Sequence, residues 1–210
     1  MRELAYFVQD DDDGGPGVLV LHSLWGLTAS VKQLCDDLAD HGFTVLAPDL
    51  NFGELPETEQ DGIAHLQDAS PDRLASLVLS AAQLLHAKSA HGPIGVVGFG
   101  MGGSLGLWAS VRLPDVVGAA VSFYGTQQID FAGSASAYLI HFAEEDDYIT
   151  DDEAVFMEAT MGLVGLEVSV MTYPGTRHGF CEPDGESYDA AAFEQAWSRT
   201  LEFLERLLVE

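Results

Sequence analysis

Basic residues are scarce in this chain. Eight lysines and arginines stand against 34 aspartates and glutamates in 210 residues, a net charge of −26. A field of that sign repels nucleic acid and anionic membrane surfaces, and it opposes a strongly anionic substrate unless a local arginine offsets it. It speaks to solubility, or to a salty cytoplasm, and not to fold. Cysteine is rarer still: Cys35 and Cys181 make neither a disulfide framework nor a zinc-type cluster. His22, His41, His65, His86, His91 and His141 show no paired ligand spacing, so no metal and no cofactor is expected. No apolar run reaches the roughly 18 residues that span a bilayer. The opening Met1-Arg-Glu-Leu-Ala-Tyr lacks the basic and apolar regions of a secretory signal. These absences point to a cytoplasmic protein without nucleic-acid or membrane partners. A small-molecule substrate or ligand is expected, with a monomeric or weakly homo-oligomeric state.

What is present is globular. Hydrophobic residues make up 47% of the chain, and the length suits one α/β domain over 1–210. Strand signals at 4–8, 18–22, 43–48, 94–97, 117–123, 137–142 and 167–173 alternate with helical signals at 28–41, 70–88, 102–112, 151–161 and 188–209. Ser70-Pro71 opens a helix with a capping serine and proline at its first position. Residues 51–69 read as a polar surface excursion, and the acidic run Asp10–Gly15 as a solvated hairpin turn. Such alternation implies a mostly parallel central sheet with helices on both faces, and a site beyond the carboxyl ends of the strands.

One strand-to-helix turn concentrates the chemistry. Gly98-Phe99-Gly100-Met101-Gly102 has the spacing of a nucleophile elbow, Gly-x-(Ser or Cys)-x-Gly, but Gly100 fills the reactive place. Asp146 follows a later strand, and His178 follows the last one. That chain order is the order of a hydrolase triad, in which the acid orients the histidine base. Gly98-x-Gly100-x-x-Gly103 also fits the dinucleotide fingerprint formally. The next strand ends in Ser122-Phe-Tyr-Gly125 without the required carboxylate, which leaves nucleotide binding the weaker reading. Ser23, Ser104 and Cys181 are the remaining candidate nucleophiles, and Arg177 is the one basic residue close to the inferred site.

Taken together, Leu21-His-Ser-Leu-Trp-Gly26, Phe43-Thr-Val-Leu-Ala-Pro-Asp-Leu50, the elbow, Ala120-Val-Ser-Phe-Tyr-Gly125, Tyr173-Pro-Gly-Thr-Arg-His-Gly-Phe180 and Tyr188-Asp-Ala-Ala-Ala192 with Ala196-Trp197 resemble the dienelactone hydrolase family over nearly the whole chain. The resemblance implies an α/β-hydrolase fold and hydrolysis of ester or enol-lactone bonds. It implies His178 and Asp146 as catalytic residues and Gly100 at the place of the family's cysteine. Ser23 falls at the place of a family glutamate. Backbone N–H groups of Met101 and Leu24 would form the oxyanion hole. Trp25, Phe99, Tyr124, Arg177 and Cys181 are expected to line the pocket with Ser23. With the elbow side chain missing, three readings stay open. They are water activated by His178, a non-catalytic relative that binds a small molecule or partner, and a cofactor-free proton-transfer enzyme.

Overall fold

The computed structural model describes residues 4–9, 14–89 and 92–209. Seven strands form one sheet in the order β1-β3-β2-β4-β5-β6-β7. They are β1 (Ala5–Val8), β2 (Gly17–Leu21), β3 (Thr44–Pro48), β4 (Ile94–Phe99), β5 (Val117–Phe123), β6 (Ala137–Glu145) and β7 (Val168–Arg177). Every pairing is parallel except β1 with β3. The helices are α1 (Ala29–Asp40), α2 (Glu59–Asp68), α3 (Pro71–Lys88), α4 (Met101–Arg112), α5 (Asp151–Leu163) and α6 (Ala190–Leu208).

The inner strands are apolar on both faces because helices cover both. In β2, Val18 and Val20 join the core under α1 and α6, while Leu19 and Leu21 join the core under α3 and α4. The helix starts are set by local chemistry. The side chains of Thr28, Ser70 and Asp189 each accept a hydrogen bond from a backbone N–H in the first turn of the helix that follows. Thr150 forms a full capping box with Glu153.

Two sequence expectations need correction. β1 and β2 do not form a hairpin: β1 pairs with β3, and β3 lies between them. The interior places of the sheet demand strands buried on both faces. β2 is fully buried, whereas β1 is partly exposed and takes the outer edge. Residues 10–13 of the acidic run lie outside the described residues, as does His91. The excursion at 51–69 contains the helix α2, capped by the Thr58 hydroxyl. Gly62 on α2 allows that helix to settle on Leu24; a Cβ there would lie 2.4 Å from Leu24 Cδ1.

His141 is a fully buried polar residue of the sheet. It stacks on Phe123 and hydrogen-bonds the Tyr173 hydroxyl (2.8 Å) and the Thr200 hydroxyl (3.2 Å). Burial, with Arg199 nearby, lowers its pKa from 6.5 to about 3. Between those values the unfolded chain takes up a proton that the folded one refuses, so stability falls with pH by up to about 1.4 kcal/mol per unit. Between pH 7 and 5, wild type is expected to lose about 2 kcal/mol more than His141→Gln in urea unfolding. Parallel stability profiles for the two proteins would contradict this.

Candidate active site

Five strand ends converge on one open cleft of about 820 Å³. β4 ends at the elbow, where Gly100 caps α4 at φ 50° and ψ −113°. That backbone shape is strained for an L-residue and natural for glycine. The other elbow glycines have a different reason to be glycine. A Cβ would lie 2.3 Å from the Gly102 oxygen at Gly98, 2.0 Å from the Leu21 oxygen at Gly102, and 2.5 Å from the Ser122 hydroxyl at Gly103. They let α4 press against the sheet. At Gly100 an ideal Cβ meets only His178 Nε2 at 3.7 Å and Ser23 Cβ at 3.8 Å, which are ordinary contact distances. A side chain would therefore fit there and would point at the histidine.

His178 follows β7. Its Nδ1 lies 2.8 Å and 3.0 Å from the two Asp146 carboxylate oxygens. Asp146, not Asp147, makes this contact. The Tyr148 and Ile149 N–H groups donate to Asp146 Oδ1 at 2.8 and 3.0 Å and fix the carboxylate in its turn. With Nδ1–H donating to the acid, Nε2 carries the lone pair that faces Gly100. The rings of Tyr124 and Tyr148 flank the imidazole, each 4.7 Å away between centroids. Tyr124 itself sits at φ 41°, a second strained position next to the site.

The loop after β2 brings Ser23, Leu24 and Trp25 to the cleft. Buried His22 braces it: Nδ1 is 2.7 Å from the Ser23 carbonyl oxygen, and Nε2 accepts from the Leu50 N–H at 2.9 Å. The Asn51 amide donates to the Leu24 carbonyl at 2.9 Å. Among the described residues, the N–H groups of Leu24 and Met101 have no acceptor. Met101 is the first residue of α4, so its amide and the positive end of the helix dipole face the cleft.

Of the expected pocket residues, Ser23, Trp25 and Tyr124 line the cleft. Three others do not. The Arg177 side chain is 69% exposed and pairs with Glu145 at 3.0 Å, turned outward past a register irregularity at the end of β7. Phe99 is buried and stacks on Phe123. Cys181 is fully buried beside Phe99, and desolvation pushes its thiol pKa far up, so it is a core residue without thiolate character. Among the described residues, no group of three or more His, Cys, Asp or Glu side chains is placed to hold a metal ion.

Sequence reasoning missed two features. The first is α2, whose Glu59, Ile63, Leu66 and Gln67 form one wall of the cleft. The Tyr148 hydroxyl reaches across to Glu59 and ties that wall to the Asp146 turn. The capping threonine Thr58 was the available signal. The second is Glu182, four residues beyond His178. The Glu182 N–H donates to the Gly179 carbonyl at 2.9 Å, which turns the chain back into the site. There its carboxylate accepts a hydrogen bond from the Ser23 hydroxyl. No sequence motif marks it.

A parallel sheet with this elbow and this order of acid and histidine defines an α/β-hydrolase. The chain belongs to the dienelactone hydrolase family, whose profile matches residues 4–208. It is 30% identical over 207 residues to Protein usf of Aquifex pyrophilus, covering 93% of this chain and 90% of that one. It is 24% identical to carboxymethylenebutenolidase 1 of Cupriavidus pinatubonensis, with 97% and 91% covered. Its fold superposes on a dienelactone hydrolase-like promiscuous phosphotriesterase from metagenomic libraries with a TM-score of 0.85, at 22% identity over 97% of this chain and 92% of that one.

The glycine geometry separates two costs. Gly100→Ala is expected to destabilise by about 1–3 kcal/mol through backbone strain alone. Gly102→Ala forces a Cβ into the Leu21 carbonyl and should cost about 4 kcal/mol or more. Denaturant unfolding compares them, and equal losses would contradict this account of the elbow.

Proposed function

We propose that this protein hydrolyses carboxylic ester or lactone bonds in small molecules, using water activated by His178 in place of a side-chain nucleophile. The observation that carries the reading is the contact made at Gly100. The base nitrogen of His178 lies 3.7 Å from the Cβ position of a residue that has no side chain. A water oxygen would occupy the space that a thiol fills elsewhere in the family. His178 Nε2 would accept its proton as the oxygen attacks the carbonyl carbon. Asp146 would stabilise the imidazolium that forms. The developing oxyanion would be received by the Leu24 and Met101 N–H groups, helped by the α4 dipole. Collapse of the tetrahedral intermediate would then return the proton from His178 to the leaving alkoxide.

Ser23 is a poor substitute nucleophile. Its Cβ, and not its hydroxyl, approaches Gly100, and the hydroxyl donates to Glu182. The alternative reading is a non-catalytic relative that binds a small molecule in the same cleft; the missing elbow side chain favours it.

Turnover of p-nitrophenyl esters and enol-lactones tests the choice. Wild type is expected to hydrolyse at least one of them, and His178→Ala to lose about 100-fold or more. Gly100→Cys should add a covalent pathway, seen as a burst. An inert wild type beside an active Gly100→Cys would overturn the hydrolytic reading in favour of the binding one.

A further inference from the structure

The cleft has a charge pattern that the reaction itself does not need. Among its described lining residues are Glu57, Glu59, Glu182, Asp184 and Glu186, and none is a lysine or arginine. Surface carboxylates are common in so acidic a chain, so the rim alone decides nothing. Glu182 is different. It is half-buried next to His178, and loss of solvent raises its carboxyl pKa. The Ser23 and Tyr124 hydroxyls act on it as donors, and His178 is the one positive influence among the groups around it.

Tyr124 provides a second observation, made at the hydroxyl that acts on Glu182. The residue is 1% exposed and lines the cleft, yet its hydroxyl has no hydrogen-bond partner of normal geometry. Burial raises its pKa most, and the nearby Glu182 charge raises it further, so the two groups face a shared space. A half-buried carboxylate beside a buried hydroxyl whose oxygen accepts no hydrogen bond of normal geometry favours a donor that carries positive charge. The rings of Trp25 and Tyr148 lie along the same cleft and would favour a cation over an anion.

We infer that this cleft selects esters or lactones whose non-reacting part carries a protonated amine, with Glu182 as its counter-ion and the Tyr124 hydroxyl as a further acceptor. The inference rests on the cleft being the substrate site, as in the hydrolytic reading, and it names the substrate class.

Two matched pairs of probes test it. The cationic probes are N-[2-(dimethylamino)ethyl]butanamide and 2-(dimethylamino)ethyl butyrate. Their neutral isosteres are N-isopentylbutanamide and isopentyl butyrate. The amides report binding by calorimetry, and the esters report turnover. Wild type is expected to bind the cationic amide about tenfold or more tightly than its isostere. A contact pair beside low-dielectric protein keeps most of that preference in 1 M salt, whereas attraction by the diffuse field of the whole chain disappears there. Glu182→Gln should reduce the preference to about threefold or less, although it changes the net charge by one unit only. Equal binding of the two amides by wild type would overturn the inference. So would a preference lost in 1 M salt, or one unchanged in a folded Glu182→Gln. The salt comparison needs no variant to fold. Cation-selective binding without turnover of either ester leaves the inference standing and removes the hydrolytic reading. Turnover of both esters with equal kcat/KM does the reverse.

Discussion

The hydrogen bond between Asp146 and His178 is the contact on which the proposed chemistry depends. It fixes the tautomer, aims the Nε2 lone pair at Gly100, and keeps a compensating charge in place for the proton that His178 would receive. The structure protects it from several sides. Two backbone N–H groups hold the carboxylate, and two tyrosine rings hold the imidazole. The sheet supplies the distances, because β6 and β7 are neighbours and their ends bring the acid and the base together.

The elbow makes the complementary point. Around Gly100 the chain has kept every glycine that packing demands, and α4 still presents its first amide to the cleft. Gly100 alone is not required by contact. The backbone there remains in the shape that elsewhere presents a nucleophile, and glycine relieves the strain of holding it. Hydrogen-bond donors from the backbone do not depend on the side chain at that position, and they account for a large part of the stabilisation in acyl transfer.

Much of this was legible in the sequence because short-range chemistry wrote it. Ser70-Pro71 capped a helix as expected, the apolar runs became buried strands, and Asp146 and His178 met at the strand ends. The failures share a cause: each depended on contacts distant in sequence. β1 chose β3 over β2 because of edge exposure in the finished sheet. α2 lies in a polar, Gly- and Pro-punctuated stretch and settles where Gly62 meets Leu24. Arg177 turns outward past the register irregularity at the end of β7, while Glu182 returns through a turn whose partner, Ser23, lies 159 residues earlier. Residue type alone predicted the opposite for that last pair, since arginine was the expected charge in the site and a carboxylate occupies it.

The central claim is that water, and not a side chain, attacks the substrate. Intact-protein mass spectrometry during turnover of an activated ester tests it most directly. The account predicts that wild type carries no acyl adduct at any time while product accumulates linearly from the first turnover. An acyl group trapped on Ser23, Ser104 or any other residue at a rate matching turnover would contradict it.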